Sequence, residues 1–252
     1  MTFHVIIPAR FQSGRLPGKP LAKIGGKEMI LHVCERAEGS GAESVTVATD
    51  NKKIQEVVNL AGFKAILTRQ DHQSGSDRIF EAAELLGLKD TDVIVNVQGD
   101  EPFIPINNIS QVAAMVNRND YEMATLCCSI KDTKEANNPN VVKVIFDKNK
   151  KAIYFSRSLI PFDRNRTDES TIQQNSHFRH IGIYAYTKSF VRQFVSWPIS
   201  SLEKSEKLEQ LRVLENGKSI YVDILEQSPP SGIDTAEDLE LANFLYGNSM
   251  SN

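Results

Sequence analysis

The chain has 252 residues, 40% hydrophobic and 24% charged, an ordinary globular composition with room for one large domain or one domain with an appendage. A formal net charge of −3 excludes a general basic footprint for nucleic acid, and no apolar stretch approaches membrane-spanning length. Three cysteines, Cys34, Cys127 and Cys128, make no disulfide framework. With no basic-then-apolar leader before Pro8 and Arg10, they fit a reducing, cytoplasmic setting.

The run Val5-Ile6-Ile7 predicts a buried strand. It opens into a loop, Pro8 to Leu21, rich in Gly, Pro and cations. Arg10, Arg15 and Lys19 gather positive charge there, and Gly14 and Gly18 permit sharp turns and a close backbone approach. Backbone N–H groups beside cations suit a polyphosphate; a solvated basic surface loop is the alternative. Lys19 precedes Pro20, so this is not a Walker A loop, and Gly-x-Gly-x-x-Gly spacing is absent.

A helix is expected over 28–39, a strand over 44–49, a helix over 52–61 capped by Asp50, and a strand over 64–67. This alternation implies a parallel sheet with helices on its faces. The polar loop 71–78 runs into a helix over 79–86. Ser74, Gly75 and Arg78 are placed there to meet a nucleobase or sugar, with capping by Ser76 the simpler local account. The stretch 92–98 is the most apolar strand, expected at the sheet centre, and ends in Gly99-Asp100-Glu101-Pro102. Ligands of open parallel sheets bind beyond the carboxyl ends of the strands, which sets Asp100 near the Arg10 loop. A divalent cation bridging carboxylate and phosphate would explain that pairing; an ordinary turn before Pro102 explains Asp100 equally well.

A helix over 108–117 and a strand over 123–130 follow, the strand turning Cys127 and Cys128 to opposite faces. Strands at 140–146 and 151–155 flank the turn 147–150. The segment 156–164 is irregular, 165–175 is polar, and 177–186 resumes as a strand. This sets a smaller antiparallel appendage at about 130–185 inside a single domain spanning 1–252. Helices over 189–195 and 201–216, a strand over 220–225 and a final helix over 236–246 complete the chain. Thr235 and Asp238 have capping-box spacing, and Asp234 stands just before that cap.

Several segments together resemble the sugar nucleotidyltransferases, and within them the 3-deoxy-manno-octulosonate cytidylyltransferases. They are Ile7-Pro8-Ala9-Arg10, Arg15-Leu16-Pro17-Gly18-Lys19-Pro20, His72-Gln73-Ser74-Gly75, Gln98-Gly99-Asp100-Glu101-Pro102, Tyr154-Phe155-Ser156-Arg157, Arg179-His180-Ile181-Gly182-Ile183-Tyr184, Leu208-Glu209-Gln210-Leu211-Arg212 and Gly232-Ile233-Asp234-Thr235. The resemblance covers nearly the whole chain. It implies an α/β fold, a Rossmann-like, mostly parallel sheet flanked by helices, whose antiparallel appendage serves sugar binding and dimerisation. The implied reaction joins CTP to the octulosonate and releases pyrophosphate, activating the sugar for bacterial lipopolysaccharide synthesis. The implied catalytic residues are Arg10, Lys19, Asp100 and Asp234, the two aspartates holding Mg²⁺. Ala9, Arg10, Arg15, Lys19, Ser74, Gly75, Arg78 and Gln98 would bind the nucleotide. Gln98, Arg157, Arg164, His180, Tyr184, Glu209 and Gln210 would bind the sugar. A homodimer is expected.

Both substrates are anions, so cations on either side offset their repulsion, and no enzyme nucleophile is needed. The sequence offers no convincing Ser–His or Cys–His arrangement. Ser76, Phe103 and Phe162 depart from the family pattern without removing a metal or phosphate residue, and the two phenylalanines bear on the shape of the sugar pocket. Two other readings compete. One is an enzyme for another acidic sugar, the 8-amino-8-deoxy analogue or a sialic acid. The other is a non-catalytic nucleotide binder, against which Asp100 and Asp234 argue.

Overall fold

The computed structural model describes residues 2–12, 15–119, 121–164 and 176–249; the polar segment 165–175 lies outside them. Strand β1 (His4–Ala9) leads through a 3-10 turn at Lys19–Leu21 and a hairpin of β2 (Lys23–Ile24) and β3 (Lys27–Glu28) into α1 (Met29–Glu38). Next come β4 (Ser44–Thr49), α2 (Lys52–Leu60), β5 (Lys64–Leu67), α3 (Gly75–Leu85), β6 (Val93–Asn96), α4 (Ile106–Asn119) and β7 (Met123–Ser129). The short α5 (Thr133–Asn137) precedes β8 (Lys143–Phe146), β9 (Ala152–Ser156) and β10 (Phe178–Thr187). Helices α6 (Lys188–Ser196), α7 (Ser201–Glu206) and α8 (Leu211–Glu215) lead to β11 (Tyr221–Leu225) and α9 (Ala236–Ser249).

The central sheet runs β11-β7-β10-β6-β1-β4-β5, and β8 and β9 extend from β10. β1 pairs in parallel with β4 and β6, β4 with β5, and β11 with β7. β10 runs antiparallel to both of its neighbours, β6 and β7. The mostly parallel sheet is therefore as expected, with β6 in the interior. β10, which the sequence grouped with the appendage, is a member of the central sheet, and the β8–β9 ribbon is what projects from it.

Alternation along β1 explains the layering. Val5 and Ile7 face a core built with α1, α2 and α4, whereas Ile6 faces a second core built with α3 and α6. Cys128 and Cys127 divide between the same two cores, as their adjacency on β7 required. Truncating a fully buried side chain such as Ile6 to Ala costs about 2–5 kcal/mol.

Three local expectations are corrected. Asn51, not Asp50, caps α2, its side chain accepting from the Lys53 and Ile54 amides. Ser74, not Ser76, caps α3, in a reciprocal capping box with Asp77. The single helix expected over 201–216 is two short ones, because Lys207 takes a left-handed conformation (φ 55°, ψ 45°) that ends α7. The apolar period continues through the break, so periodicity alone did not reveal it. A buried ion pair folds the two pieces together: Arg212 donates to both Glu203 carboxylate oxygens, at 2.6 and 2.7 Å.

Candidate active site

Parallel neighbours β1 and β6 end at the same edge of the sheet, so the loops after Ala9 and Asn96 meet there. Gly99 permits the contact: a Cβ at that position would lie 3.1 Å from the Pro8 carbonyl. The basic loop closes on itself at Gly18, which has φ +67° and donates its amide to the Phe11 carbonyl at 3.2 Å.

That closure aims Lys19 inward. Its Nζ donates to Asp100 Oδ2 at 2.5 Å and to Asp234 Oδ1 at 3.0 Å, while Arg15 Nη2 donates to Asp234 Oδ2 at 3.0 Å. Burial opposes the charge on Lys19, but Asp100 and then Asp234 outweigh it and raise the ammonium pKa. Asp234 is delivered by a loop docked on the Asp100 turn. The Ile233 amide donates to the Asp100 carbonyl at 2.9 Å, and Gly232 packs so closely that a Cβ would stand 2.9 Å from Glu101 Oε1. Burial, with the charge of Asp100, pushes Glu101 up to about 8. Asp238 accepts from the Asp234 and Thr235 amides, and Thr235 caps α9 as expected. The capped turn thus employs only the backbone of Asp234, and its carboxylate faces the cations.

Beside this cluster lies a cavity of about 350 Å³. It brings together Arg10, Gly75, Arg78 and Gln98 from the nucleotide set with His180, Tyr184, Glu209 and Gln210 from the sugar set. Gln98 Nε2 is steadied by Asn96 Oδ1 at 3.2 Å, and Tyr184 stands directly opposite Asn96 across the β6–β10 ladder. Ser76 Oγ donates to Glu209 Oε2 at 2.9 Å, joining the start of α3 to the opposite wall. Burial raises the Glu209 pKa against that hydrogen bond. Burial also holds His180 down at about 3, so its ring is neutral. Thr125 Oγ1 has a carbonyl acceptor in Ile183 at 2.7 Å and so accepts from His180 Nε2 at 3.0 Å. This tautomer leaves Nδ1 as an acceptor.

Other expected residues lie elsewhere. Ala9 is buried at the end of β1, and the Ser74 hydroxyl is engaged by Asp77. Arg157 does not line the cavity: its Nε donates to the Glu206 carbonyl at 2.7 Å and its Nη1 to the Pro139 carbonyl at 3.1 Å. Arg164 is exposed and also outside the lining. Phe162 is exposed, and Phe103 packs with Ile24, Met29 and Ile233, so neither shapes the cavity.

Sequence reasoning missed the residues that hold these groups in place. Asp50 accepts from the Phe11 amide at 3.3 Å and from Arg78 Nη2 at 2.9 Å, tying the basic loop to α3. Arg78 is fully buried; burial lowers its pKa against the pull of Asp50, and its Nε has no partner among the described residues. Lys143, also fully buried, donates to three carbonyls, of Asn138, Val141 and Arg157. His72 pairs with Glu81, which also accepts from the Arg69 amide. No local pattern announces such partners, which lie on other elements.

Among the described residues no three His, Cys, Asp or Glu side chains gather into a metal-binding group. Asp100 and Asp234 nevertheless flank a single cationic point, that of Lys19. Two hard oxygen donors around one positive charge fit a divalent ion that keeps several waters and takes its remaining ligands from phosphate.

Residues 4–220 match the family model described as Cytidylyltransferase. A 3-deoxy-manno-octulosonate cytidylyltransferase of Pectobacterium carotovorum subsp. carotovorum (strain PC1) is 51% identical over 249 residues, covering 98% of this chain and 100% of its own. One of Francisella tularensis subsp. novicida (strain U112) is 48% identical over 244 residues, covering 96% and 98%. At that coverage the similarity includes both the Lys19 loop and the Asp234 turn. The solved structure of a CMP:2-keto-3-deoxy-manno-octonic acid synthetase complexed with CTP superposes with a TM-score of 0.88 at 38% identity, over 98% of this chain and 99% of that one.

Proposed function

The chain belongs to the cytidylyltransferase family, and from that premise we propose that it converts CTP and 3-deoxy-manno-octulosonate to the CMP-sugar and pyrophosphate. One observation carries the reading beyond the family: a single cavity joins the nucleotide-side residues to the β10 and 207–210 wall, with the Lys19–Asp100–Asp234 cluster beside it.

The anomeric 2-hydroxyl of the sugar attacks the α-phosphate of CTP. Arg10, Arg15 and Lys19 counter the charge of the triphosphate and of the departing pyrophosphate. Gly75 and Arg78 face the cytosine, with Asp50 orienting Arg78 and with Ala9 and Ser74 shaping the backbone behind them. Gln98 stands between the two substrates. Neutral His180, Tyr184, Glu209 and Gln210 present hydrogen-bonding groups to the sugar hydroxyls, while Arg157 and Arg164 stand outside the cavity lining. Asp100 and Asp234 would hold Mg²⁺, which would supply charge neutralisation at the phosphates. Holding the two anions together in the right orientation is most of the catalytic task.

The product's place at the entry to lipopolysaccharide synthesis, a cytoplasmic location and a homodimeric state go with this reading. Pyrophosphate release tests it, with CTP, Mg²⁺ and, in turn, the octulosonate, its 8-amino-8-deoxy analogue and a sialic acid. The octulosonate is expected to turn over fastest. Faster turnover of another sugar reassigns the substrate, and CTP binding without any turnover leaves a nucleotide-binding protein. Sedimentation equilibrium tests the dimer.

A further inference from the structure

We infer that Arg179 is a positioning residue: from β10 it holds the loop that delivers Asp234, and so fixes that carboxylate relative to Asp100. The inference rests on the proposed function, which gives the two carboxylates their task, and it concerns a residue outside the cavity lining.

The loop of residues 226–234 leaves β11 and carries Asp234 at its far end. At that end the Ile233 amide is bonded to the Asp100 carbonyl. A loop held at one point leaves its carboxylate free to wander, and a misplacement of about 1 Å costs about a hundredfold in rate. A second hold is built on the sheet. Arg179 and Cys128 stand opposite each other in the β10–β7 ladder and share one face of it. Both reach the loop. Arg179 Nη2 donates to the Pro229 carbonyl at 2.6 Å, and Cys128 Sγ donates to Ser228 Oγ at 3.6 Å. Arg179 Nη1 donates to Glu135 Oε1, on α5, at 3.1 Å, so the fork is itself fixed in direction. Its side chain is only 14% exposed, and Pro229 is buried against it. A charge-assisted bond is worth more where water is excluded.

The chain between the two holds is stiff. Pro229 and Pro230 fix two successive φ angles, and each biases the residue before it to extended backbone. A hold on the Pro229 carbonyl is therefore felt at Gly232 and Asp234. The Asp100 turn meets the same cation from its other side. Gly232 packs on the Glu101 carboxyl; burial and then Asp100 raise the pKa of that carboxyl, and the Arg179 charge opposes them. Alternation along β10 turns the next residue, His180, to the opposite face, where it lines the cavity. One strand thereby places a sugar-side ring with one residue and the Asp234 loop with its neighbour.

Hydrogen exchange over 226–234 and steady-state pyrophosphate release test the assignment together. In Arg179→Met the loop should exchange at least about tenfold faster than in the parent, while 181–187 of β10 stays as it was. kcat should fall about tenfold and KM for the octulosonate stay within twofold, because the cavity lining is untouched. Arg179→Lys, which keeps the charge and one donor for the Pro229 carbonyl, should recover part of both losses. A residue that only stabilises the fold predicts a lower Tm with parental kcat and parental exchange over 226–234, and that result overturns the assignment. Should Arg179→Met not fold, Pro230→Gly decides, since Pro230 is exposed and its loss loosens the strut while keeping both holds. It should lower kcat and quicken exchange over 226–234; parental values of both overturn the assignment. Exchange needs no turnover. A parent that releases no pyrophosphate with the octulosonate therefore overturns the proposed function, while the exchange result still decides what Arg179 holds.

Discussion

Lys19 holds two carboxylates with one ammonium whose side chain is only 14% exposed. Lys19→Met should therefore do two things at once. It should lower kcat/KM for CTP by roughly ten- to a hundredfold, the worth of a charge-assisted contact. It should also lower the Tm of the free protein, because Asp100 loses its cation and Asp234 keeps, among the described residues, only the exposed Arg15, and Mg²⁺ alone should restore more of that Tm than it adds to the parent. Asp100→Asn and Asp234→Asn should each reduce kcat strongly, and the double variant should lose less than the product of the two, since both serve one site. Parental kcat and Mg²⁺ dependence in Asp234→Asn would confine that residue to its turn. His180 gives a pH prediction. Its ordinary value is 6.5 and burial takes it to about 3. Between those values the unfolded chain binds a proton that the folded chain does not. Stability is then complete above about pH 6.5 and falls by about 1.4 kcal/mol per pH unit as the pH drops toward 3. In thermal denaturation from pH 7 to pH 4, His180→Gln should lose Tm less steeply than the parent.

Elements position these residues by close approach. Gly232→Ala would push a methyl to within 2.9 Å of Glu101 Oε1 and 3.2 Å of the Asp100 carbonyl, so Glu101 must turn aside and the loop must shift by a few tenths of an ångström from the Asp100 turn. The expected result is a kcat loss of at least tenfold with a drop of only a few degrees in Tm, measured on the same preparation, because the loop carries Asp234 but little of the core. The sequence marked this loop through Asp234 and the Thr235 cap, and it marked the basic loop through its glycines and cations. Local chemistry is legible where one stretch of chain does the work. Hidden from it were the connections between stretches: Asp50 with Arg78, Glu203 with Arg212, and Lys143 with its three carbonyls. A buried ion pair looks, in sequence, like two surface charges on separate amphipathic elements. The break at Lys207 escaped for a related reason, since a left-handed lysine carries none of the signature of a terminal glycine.

At the scale of the whole molecule, the alternation of strands and helices foretold the parallel sheet, because each strand and each helix shows its own period. The position of β10 could not be foretold, because antiparallel insertion between β6 and β7 is decided by tertiary pairing and not by the strand's composition. That insertion has a mechanical consequence. The strand bearing His180 and Tyr184 is bonded edge to edge with the strand that leads to Gln98. On the proposed function, the separation between the β10 side chains assigned to the sugar and the β6 end that leads to Gln98 is thus set by the spacing of adjacent strands, about 4.8 Å, a length that every ladder hydrogen bond defends. The sheet works as a ruler rather than a jaw. Small-angle scattering should accordingly give the same radius of gyration with and without both substrates, and protection from hydrogen exchange should rise in the loops at 10–18 and 207–210 while β6 and β10 stay as they were. A contraction of the entire particle on ligation would mean that the ruler bends.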